Sequence, residues 1–477
     1  MTAHFPLMVP DSKTASPPRE VSAPYDGAVL ATVDTADPDV VEQALATAYE
    51  LYRNRDTWLS PARRIDVLRN VAKLMEERAE SLALEAAREG GKPLMDSRVE
   101  VARAIDGVLN CAEVLRSDAG HVIPMNLNAA SMGRIAFTQR EPIGVVVAVS
   151  AFNHPLNLIV HQVGPAIAAG CPVIVKPAED TPLSCYRFVA LLCECGLPGE
   201  WCQALVAENT AVIGQLVTDR RVGFFSFIGS GAVGWMLRSR LAPGTRCSLE
   251  HGGAAPVLLA PDADLEVALP KVIKGGFYHA GQVCVSVQRV FAHRSIAQDF
   301  AERLGQLASK LRVGDPILAE TEVGPLIRHK EVLRVDQWVR EALEGGAQLL
   351  CGGRALSESC YAPTVLLDPA PDCKLSQLEV FGPVVCIYTY DTLDEAIARA
   401  NALPVAFQAA VFTRDYRTAM RVYTRLDASA VMINDHTAFR VDWMPFAGLR
   451  ESGLGVGGIP YTFRDMQVEK LFVGSTI

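Results

Sequence analysis

The sequence predicts an α/β protein: two doubly wound domains plus a small β oligomerisation element. Three observations carry this. Between Ile143 and Ile228, β-branched runs alternate with helical stretches of about 10 to 15 residues, the rhythm of a parallel sheet covered on both faces. The rhythm recurs between about residues 254 and 433. Finally, Gly229-Ser-Gly-Ala-Val-Gly234 follows a predicted strand and opens a predicted helix.

The elements follow in order. Residues up to about Asp34 are Pro-rich and lack period, and are expected to drape over the surface. Asp37-Pro38 supplies a capping acid and a proline at the first helical position, and Val41, Leu45 and Ala48 recur at helical spacing. Ser60-Pro61 repeats the device. An apolar face of Ile65, Leu68, Val71, Ala72 and Met75 follows, in a helical stretch that stops at Gly90-Gly91. A third helix is expected over about 95–116. Residues 121–141 read as a hairpin around Ile135, Phe137 and Thr138, and Val468 to Val473 as a last strand. Ile143 to Val149, Pro172 to Val175, Trp201 to Val206 and Val222 to Ile228 read as buried strands of the first unit. Val257 to Leu259, Val290 to Ala292, Val384 to Tyr390, Ala409 to Phe412 and Ala430 to Ile433 read as those of the second. The predicted division is 1–120 with 142–250, then 251–440, then an oligomerisation element of 121–141 and 460–477.

Composition excludes several roles. The chain has 477 residues, 49% of them hydrophobic and 21% charged, so a large core is available and disorder is excluded for most of it. A net charge of −9 argues against a nucleic-acid partner, which needs a basic face. No apolar stretch reaches the roughly 20 residues of a membrane span, and no secretory signal is read at the N-terminus. The expected location is cytoplasmic. There the 12 cysteines are mostly small buried hydrophobes, with room for one reactive thiol. Their spacing suits no metal site, and none is expected.

Gly229 to Gly234 matches the G-x-G-x-x-G dinucleotide fingerprint in the required strand-to-helix context. Its glycines let a phosphate approach the backbone, and the helix end offers free N–H groups. The plain alternative is an ordinary strand-to-helix turn. The fingerprint expects an acid about 20 residues on, and Glu250 lies at that distance. Cys284, in Gly281-Gln-Val-Cys284-Val-Ser286, is flanked by glycine and polar residues, whereas Cys111, Cys171, Cys202 and Cys386 sit in apolar runs. A nucleophilic thiol needs exposure, a base or lowered pKa, and oxyanion donors. For any one of the 12 cysteines, a buried structural thiol is the commoner state.

Seven motifs then occur in order: Phe-Asn153-His-Pro, Lys176-Pro-Ala-Glu179, Phe227-Ile-Gly229-Ser230, Leu-Glu250-His-Gly-Gly, Gly-Gln-Val-Cys284, Glu379-Val-Phe381-Gly-Pro and Pro-Phe446-Ala-Gly-Leu-Arg-Glu-Ser-Gly453. From about Asp26 to the C-terminus the chain resembles the NAD(P)-dependent aldehyde dehydrogenase superfamily. Its nearest likeness is to the lactaldehyde, non-phosphorylating glyceraldehyde-3-phosphate and phosphonoacetaldehyde dehydrogenases. The resemblance implies that Cys284 attacks the aldehyde, that Asn153 and the Cys284 N–H hold the oxyanion, and that Glu250 activates water to hydrolyse the thioester. Glu250 is therefore not assigned to the ribose. Residues 1–120 and 142–250 would bind the dinucleotide and 251–440 would carry the catalytic thiol. Lys176 and Glu179 would hold the adenosine ribose, Gly229, Ser230 and Val233 would line the pyrophosphate turn, and Glu379 would take the nicotinamide ribose. Phe381 would pack near the nicotinamide, and Asn434 would support the Cys284 loop.

Three positions depart from the family pattern: His251 and Ala254 replace the usual leucine and lysine, and Ala447 replaces a glycine, which is expected to tighten the loop near the substrate. Glu179 would repel a 2′-phosphate, so NAD is expected over NADP. Glu250 implies hydrolysis rather than transfer to coenzyme A. A small oxygenated or anionic aldehyde is the expected substrate, with Arg103, His161 and Arg440 as candidate receptors. For Arg103 a plain helix-face charge weighs at least as much. Aromatic or aliphatic aldehydes are the alternative substrates, and a homodimer or homotetramer the expected assembly. Two other classes are a Cys–His hydrolase, with His279 or His161 activating Cys284, and a non-catalytic binding protein of the same fold.

Overall fold

In the computed structural model, residues 3–13 and 16–475 are described. Positions 1, 2, 14 and 15 of the first predicted domain, and 476 and 477 of the last element, lie outside the described residues.

The N-terminal stretch does not simply drape. Strands β1 (Ala3–Phe5), β2 (Arg19–Ser22) and β3 (Val29–Val33) form a sheet in the order β1-β3-β2, which buries Val21, Ala31 and Val33. Each strand is short, and its partners lie far along the chain, as in the pairing of Ala3 with Ala31. No local period announces such a sheet. Helix α1 (Pro38–Arg53) starts on the Asp37 cap and α2 (Pro61–Glu77) on the Ser60 cap, each with its proline in the first turn. The stretch expected to run on to Gly90 breaks at Arg78 (φ −108°, ψ 14°), and α3 (Ala79–Gly90) follows. Nothing around Arg78 is Gly or Pro, so the break has no local signature. Gly91 ends α3 with a left-handed φ of 73°. Helix α4 spans Leu94–Val114. Strands β4 (Val122–Ile123) and β5 (Arg134–Pro142) are antiparallel, so the predicted hairpin is present.

The first large sheet contains β6 (Val145–Val149), β7 (Val173–Lys176), β8 (Cys202–Ala204), β9 (Val222–Ile228) and β10 (Arg246–Glu250). Neighbours run β8-β7-β6-β9-β10, all parallel. Alternation sends Val146 and Ala148 into the core under α4 and α5 (Asn157–Ala169), and Val145, Val147 and Val149 into the core under α1. Every residue of β6 is therefore buried. The strand expected from Trp201 ends at Ala204, and Val206–Ala207 pairs instead with Thr35–Ala36.

The second sheet contains β11 (Ala255–Leu259), β12 (Val287–His293), β13 (Gln348–Cys351), β14 (Thr364–Leu367), β15 (Val384–Tyr390), β16 (Gln408–Phe412) and β17 (Ala430–Ile433), in the order β13-β14-β15-β12-β11-β16-β17. Only β13 is antiparallel to its neighbour. Sequence reading missed β13 and β14, each four residues long. Short β18 (Gly453–Leu454) joins the far edge of the first sheet antiparallel to β10. Tail strand β19 (Gln467–Ser475) pairs with β5 over its whole length, giving the sheet β19-β5-β4. Helix Ile459–Asp465, just before it, packs on α5 and α4 of the first unit.

Candidate active site

In a doubly wound sheet, side chains that meet a ligand emerge at the carboxyl ends of strands, where the order reverses. Here that point lies between β6 and β9. Asn153 follows β6, Lys176 ends β7, Gly229 follows β9 and Glu250 ends β10. The second sheet meets them with its amino edge: Cys284 precedes β12, Glu379 and Phe381 precede β15. Between the two edges lies a cavity of about 840 Å³, lined by Asn153, Lys176, Glu179, Gly229, Ser230, Val233, Glu250, Cys284, Glu379, Phe381, Arg103 and Arg440.

The Asn153 segment is pinned from behind. Fully buried Glu100 accepts the N–H groups of Leu156 (2.9 Å) and Asn157 (3.0 Å) at the start of α5, and pairs with buried Lys92. A carboxylate at a helix start satisfies orphan donors and suits the dipole. Losing one member of a buried pair leaves the other charge uncompensated. Lys92→Met is therefore expected to lower stability by about 3 kcal/mol in denaturant titration. Unchanged stability would refute that cost. The Asn153 Nδ2 donates to the Gln282 carbonyl at 2.9 Å, which turns the amide nitrogen toward the cysteine loop.

That loop is strained. His279 (φ 48°), Ala280 (φ 54°) and Gly281 (φ 70°) are three successive left-handed residues between the helix Leu265–Phe277 and β12. A Cβ at Gly281 would overlap the Gly382 carbonyl, so glycine is required there. Tertiary bonds hold the strain. Gln282 Nε2 donates to the His279 and Pro325 carbonyls, its Oε1 accepts from Ile327 N–H, and Thr437 Oγ1 donates to the Val285 carbonyl at 2.6 Å. Asn434, expected to support this loop, instead accepts from Thr413 N–H and donates to the Thr413 carbonyl. Thr437 takes the supporting place, because the turn after β17 points Asn434 back toward the end of β16. Burial pushes the Cys284 thiol up to about 12; Arg440 draws it down, while Glu379 and Glu250 push it further up. Burial also raises the Glu250 carboxyl, against the pull of Arg440.

On the dinucleotide side, Ser230 begins the helix Gly231–Arg238 without a side-chain cap, leaving the first-turn N–H groups to the cavity. None of the three fingerprint glycines has positive φ. A Cβ at Gly229 would overlap the Phe227 ring and one at Gly234 the His251 ring. Close ring packing, rather than a tight turn, thus fixes two of the three. His251, the departure from leucine, donates from Nδ1 to the Gly229 carbonyl at 2.9 Å. Lys176 pairs with Glu179. Burial raises the Glu179 carboxyl, but Lys176 outweighs it and leaves the group below its usual range. Glu379 accepts from Gly253 N–H at 3.2 Å, and burial lifts its carboxyl to about 8. Phe381 meets Phe152 edge to face at 5.9 Å. These features fit a dinucleotide: an open helix end for phosphate and carboxylates for ribose hydroxyls.

At the far end, Arg440 lies over the Phe446 ring, with Cζ 3.6 Å from the centroid. Arg103 also faces the cavity, but Asp442 holds it through two hydrogen bonds of 3.2 and 2.6 Å. His161 does not line the cavity; α5 places it behind, against Asp442 (2.6 Å) and Arg440 (3.3 Å). It is a support for Arg440 rather than a contact surface. Sequence reading missed Gln282, Thr437 and Asp442. Gln282 stood inside a quoted motif, but nothing in the sequence points to the other two. The hydrolase reading finds no base: both ring nitrogens of buried His279 lack partners, and those of His161 are engaged. Among the described residues no group of three or more His, Cys, Asp or Glu could hold a metal, and no helix is long and apolar enough to cross a membrane.

A thiol and a buried carboxylate open onto the same space as a bare helix end, which is the layout of an oxidoreductase working through a cysteine adduct. A model described as the aldehyde dehydrogenase family matches residues 11–471, and the chain belongs to that family. It is 38% identical over 461 residues to 3-sulfolactaldehyde dehydrogenase of Priestia aryabhattai, covering 97% of this chain and 96% of that one. Aldehyde dehydrogenase 21 from Physcomitrella patens, solved in complex with the reaction product succinate, superposes with a TM-score of 0.95 at 31% identity, covering 100% and 99% of the two chains. Glyceraldehyde-3-phosphate dehydrogenase GapN from Methanocaldococcus jannaschii, complexed with NADP, superposes with a TM-score of 0.92 at 33% identity, covering 97% and 100%. The protein is thus an oxidoreductase that converts aldehydes to acids with a nicotinamide dinucleotide.

Proposed function

We propose that the protein oxidises a small aldehyde with an oxygenated or anionic far end to the free acid, with NAD as acceptor. The observation that carries this is Arg440, a cation without a carboxylate partner in the cavity that Cys284 and Glu250 also line. The names of the relatives agree: one acts on 3-sulfolactaldehyde, and another was solved with succinate.

Cys284 adds to the aldehyde carbon as a thiolate, its proton lost to solvent. Asn153 Nδ2 and the Cys284 N–H take the oxyanion, each worth about 3 kcal/mol in the transition state. The dinucleotide, when bound, supplies the acceptor for the hydride that leaves the thiohemiacetal carbon. Glu250, ionised, then takes a proton from water as its oxygen adds to the resulting thioester, and Cys284 leaves as the thiolate. Lys176 and Glu179 would hold the adenosine ribose, Gly229, Ser230 and Val233 the pyrophosphate turn, and Glu379 and Phe381 the nicotinamide end. Glu179 favours NAD because a 2′-phosphate would meet its charge.

One steady-state panel tests both choices: succinate semialdehyde, lactaldehyde and benzaldehyde, each with NAD and NADP. Higher kcat/KM is expected for the first two aldehydes, and for NAD. A strong preference for benzaldehyde would refute the anionic reading, and equal or better kcat/KM with NADP the reading of Glu179.

A second copy of the chain is the occupant that best suits sheet β19-β5-β4, which leaves Val122, Ile135, Phe137, Leu471, Phe472 and Val473 exposed. A homodimer or homotetramer is expected in sedimentation; a monomer at micromolar concentration would refute it. The 12 cysteines, all unpaired, fit a cytoplasmic setting.

A further inference from the structure

We propose that Asp442 and His161 are positioning residues that hold Arg440 in place without neutralising it, so the far end of the cavity selects a substrate bearing a single negative charge. The proposal rests on reading Arg440 as the substrate's anion receptor.

Six cationic side chains of lysine and arginine line the cavity. Arg103, Lys176, Lys274, Arg328 and Arg334 each have a carboxylate partner. Arg440 has none; its Nη2 reaches only the His161 Nδ1 at 3.3 Å, and its buried Nε has no partner. A guanidinium can only donate, so His161 Nδ1 must accept. The His161 proton therefore sits on Nε2, which donates to Asp442 Oδ1 at 2.6 Å. Asp442 in turn takes the Arg103 guanidinium and the Asn157 amide (3.3 Å). Burial, with Arg440 beside it, keeps the imidazole neutral, its pKa brought down to about 4.

The four groups thus form a line in which Arg103 and Asp442 cancel, His161 is uncharged and Arg440 keeps its charge. The imidazole is a spacer: it fixes the guanidinium over Phe446 while keeping the carboxylate of Asp442 one ring away. One cation with no carboxylate bonded to it suits a carboxylate or sulfonate. A neutral tail leaves it unsatisfied, and a dianionic tail brings excess negative charge near Glu250 and Glu379.

The test compares kcat/KM for succinate semialdehyde (one negative charge on the tail), butanal (none) and glyceraldehyde 3-phosphate (a dianionic tail). His161→Asp sets a carboxylate beside Arg440, and should reduce the succinate semialdehyde-to-butanal preference by about tenfold or more, mainly through KM. Asp442→Asn leaves Arg103 unpaired, and should shift preference toward the phosphate by about tenfold. Both ratios staying within about twofold of wild type would overturn the proposal. If His161→Asp does not fold, Asp442→Asn decides alone, its thermal midpoint measured alongside. Arg440→Met separates the two readings. An unchanged anion-to-neutral ratio in that variant refutes Arg440 as receptor. A collapsed ratio there, with the other two variants unaltered, refutes only the spacer.

Discussion

Cys284→Ala is expected to abolish aldehyde-dependent reduction of NAD, with activity falling by about 10⁴-fold or more. Every covalent step proposed for this site passes through that sulfur, and no second thiol lines the cavity. The loss is chemical rather than structural, since Cys284 makes few of the contacts that shape its loop. Gln282, Thr437 and Ser286 carry those, with Ser286 Oγ donating to the Gly275 carbonyl at 3.2 Å. The variant should therefore unfold at the wild-type temperature and still protect a bound dinucleotide from exchange. Activity within about tenfold of wild type in a properly folded variant would show that another group is the nucleophile.

Glu250→Gln is the second large effect, and it should split the reaction in two. Glutamine keeps the shape and loses the base. The first half-reaction should proceed as a burst of NADH, about one per site, and then stall as the thioester persists. Steady-state turnover is expected to fall by about 10²- to 10⁴-fold, the usual worth of a positioned general base. The sign of the pH effect follows. Burial raises the Glu250 carboxyl above its ordinary value, and the group works only when ionised. Wild-type deacylation should thus rise with pH through that raised pKa, and the dependence should vanish in the variant. Rapid-quench mass spectrometry of the acyl-enzyme would read it directly. A variant that lost the burst itself would place Glu250 in an earlier step.

Much of this site was legible along the chain, because the chemistry sits at strand ends and short motifs mark them. The runs Ile143 to Val149 and Val222 to Ile228 are apolar on both faces, so they had to be central strands. The residues that follow them had to meet at one edge. Cys284 stood out because its neighbours are glycine and polar side chains, unlike those of the cysteines in apolar runs. What was not legible depends on contacts between distant segments. Strands β1 to β3 are too short to show a period and exist because they find one another. The helix break at Arg78 has no breaker residue, so packing, not propensity, sets it. The direction of Asn434 depends on a backbone angle the sequence does not reveal, a φ of 54°.

Residue identity and order by themselves determined the α/β class and the two-sheet plan, and marked the candidate thiol, base and dinucleotide turn. The class and the plan are encoded by a period repeated along the chain, the others by glycine placement or a short motif. Only the tertiary structure decided the state of the charges. Arg103, His161 and Arg440 are alike in sequence as cationic candidates, yet Asp442, some 280 residues from His161, pairs with the first, bonds the second and leaves the third without a carboxylate bonded to it. Coulomb interaction and desolvation depend on distance in space and on the medium between groups, which sequence separation does not record.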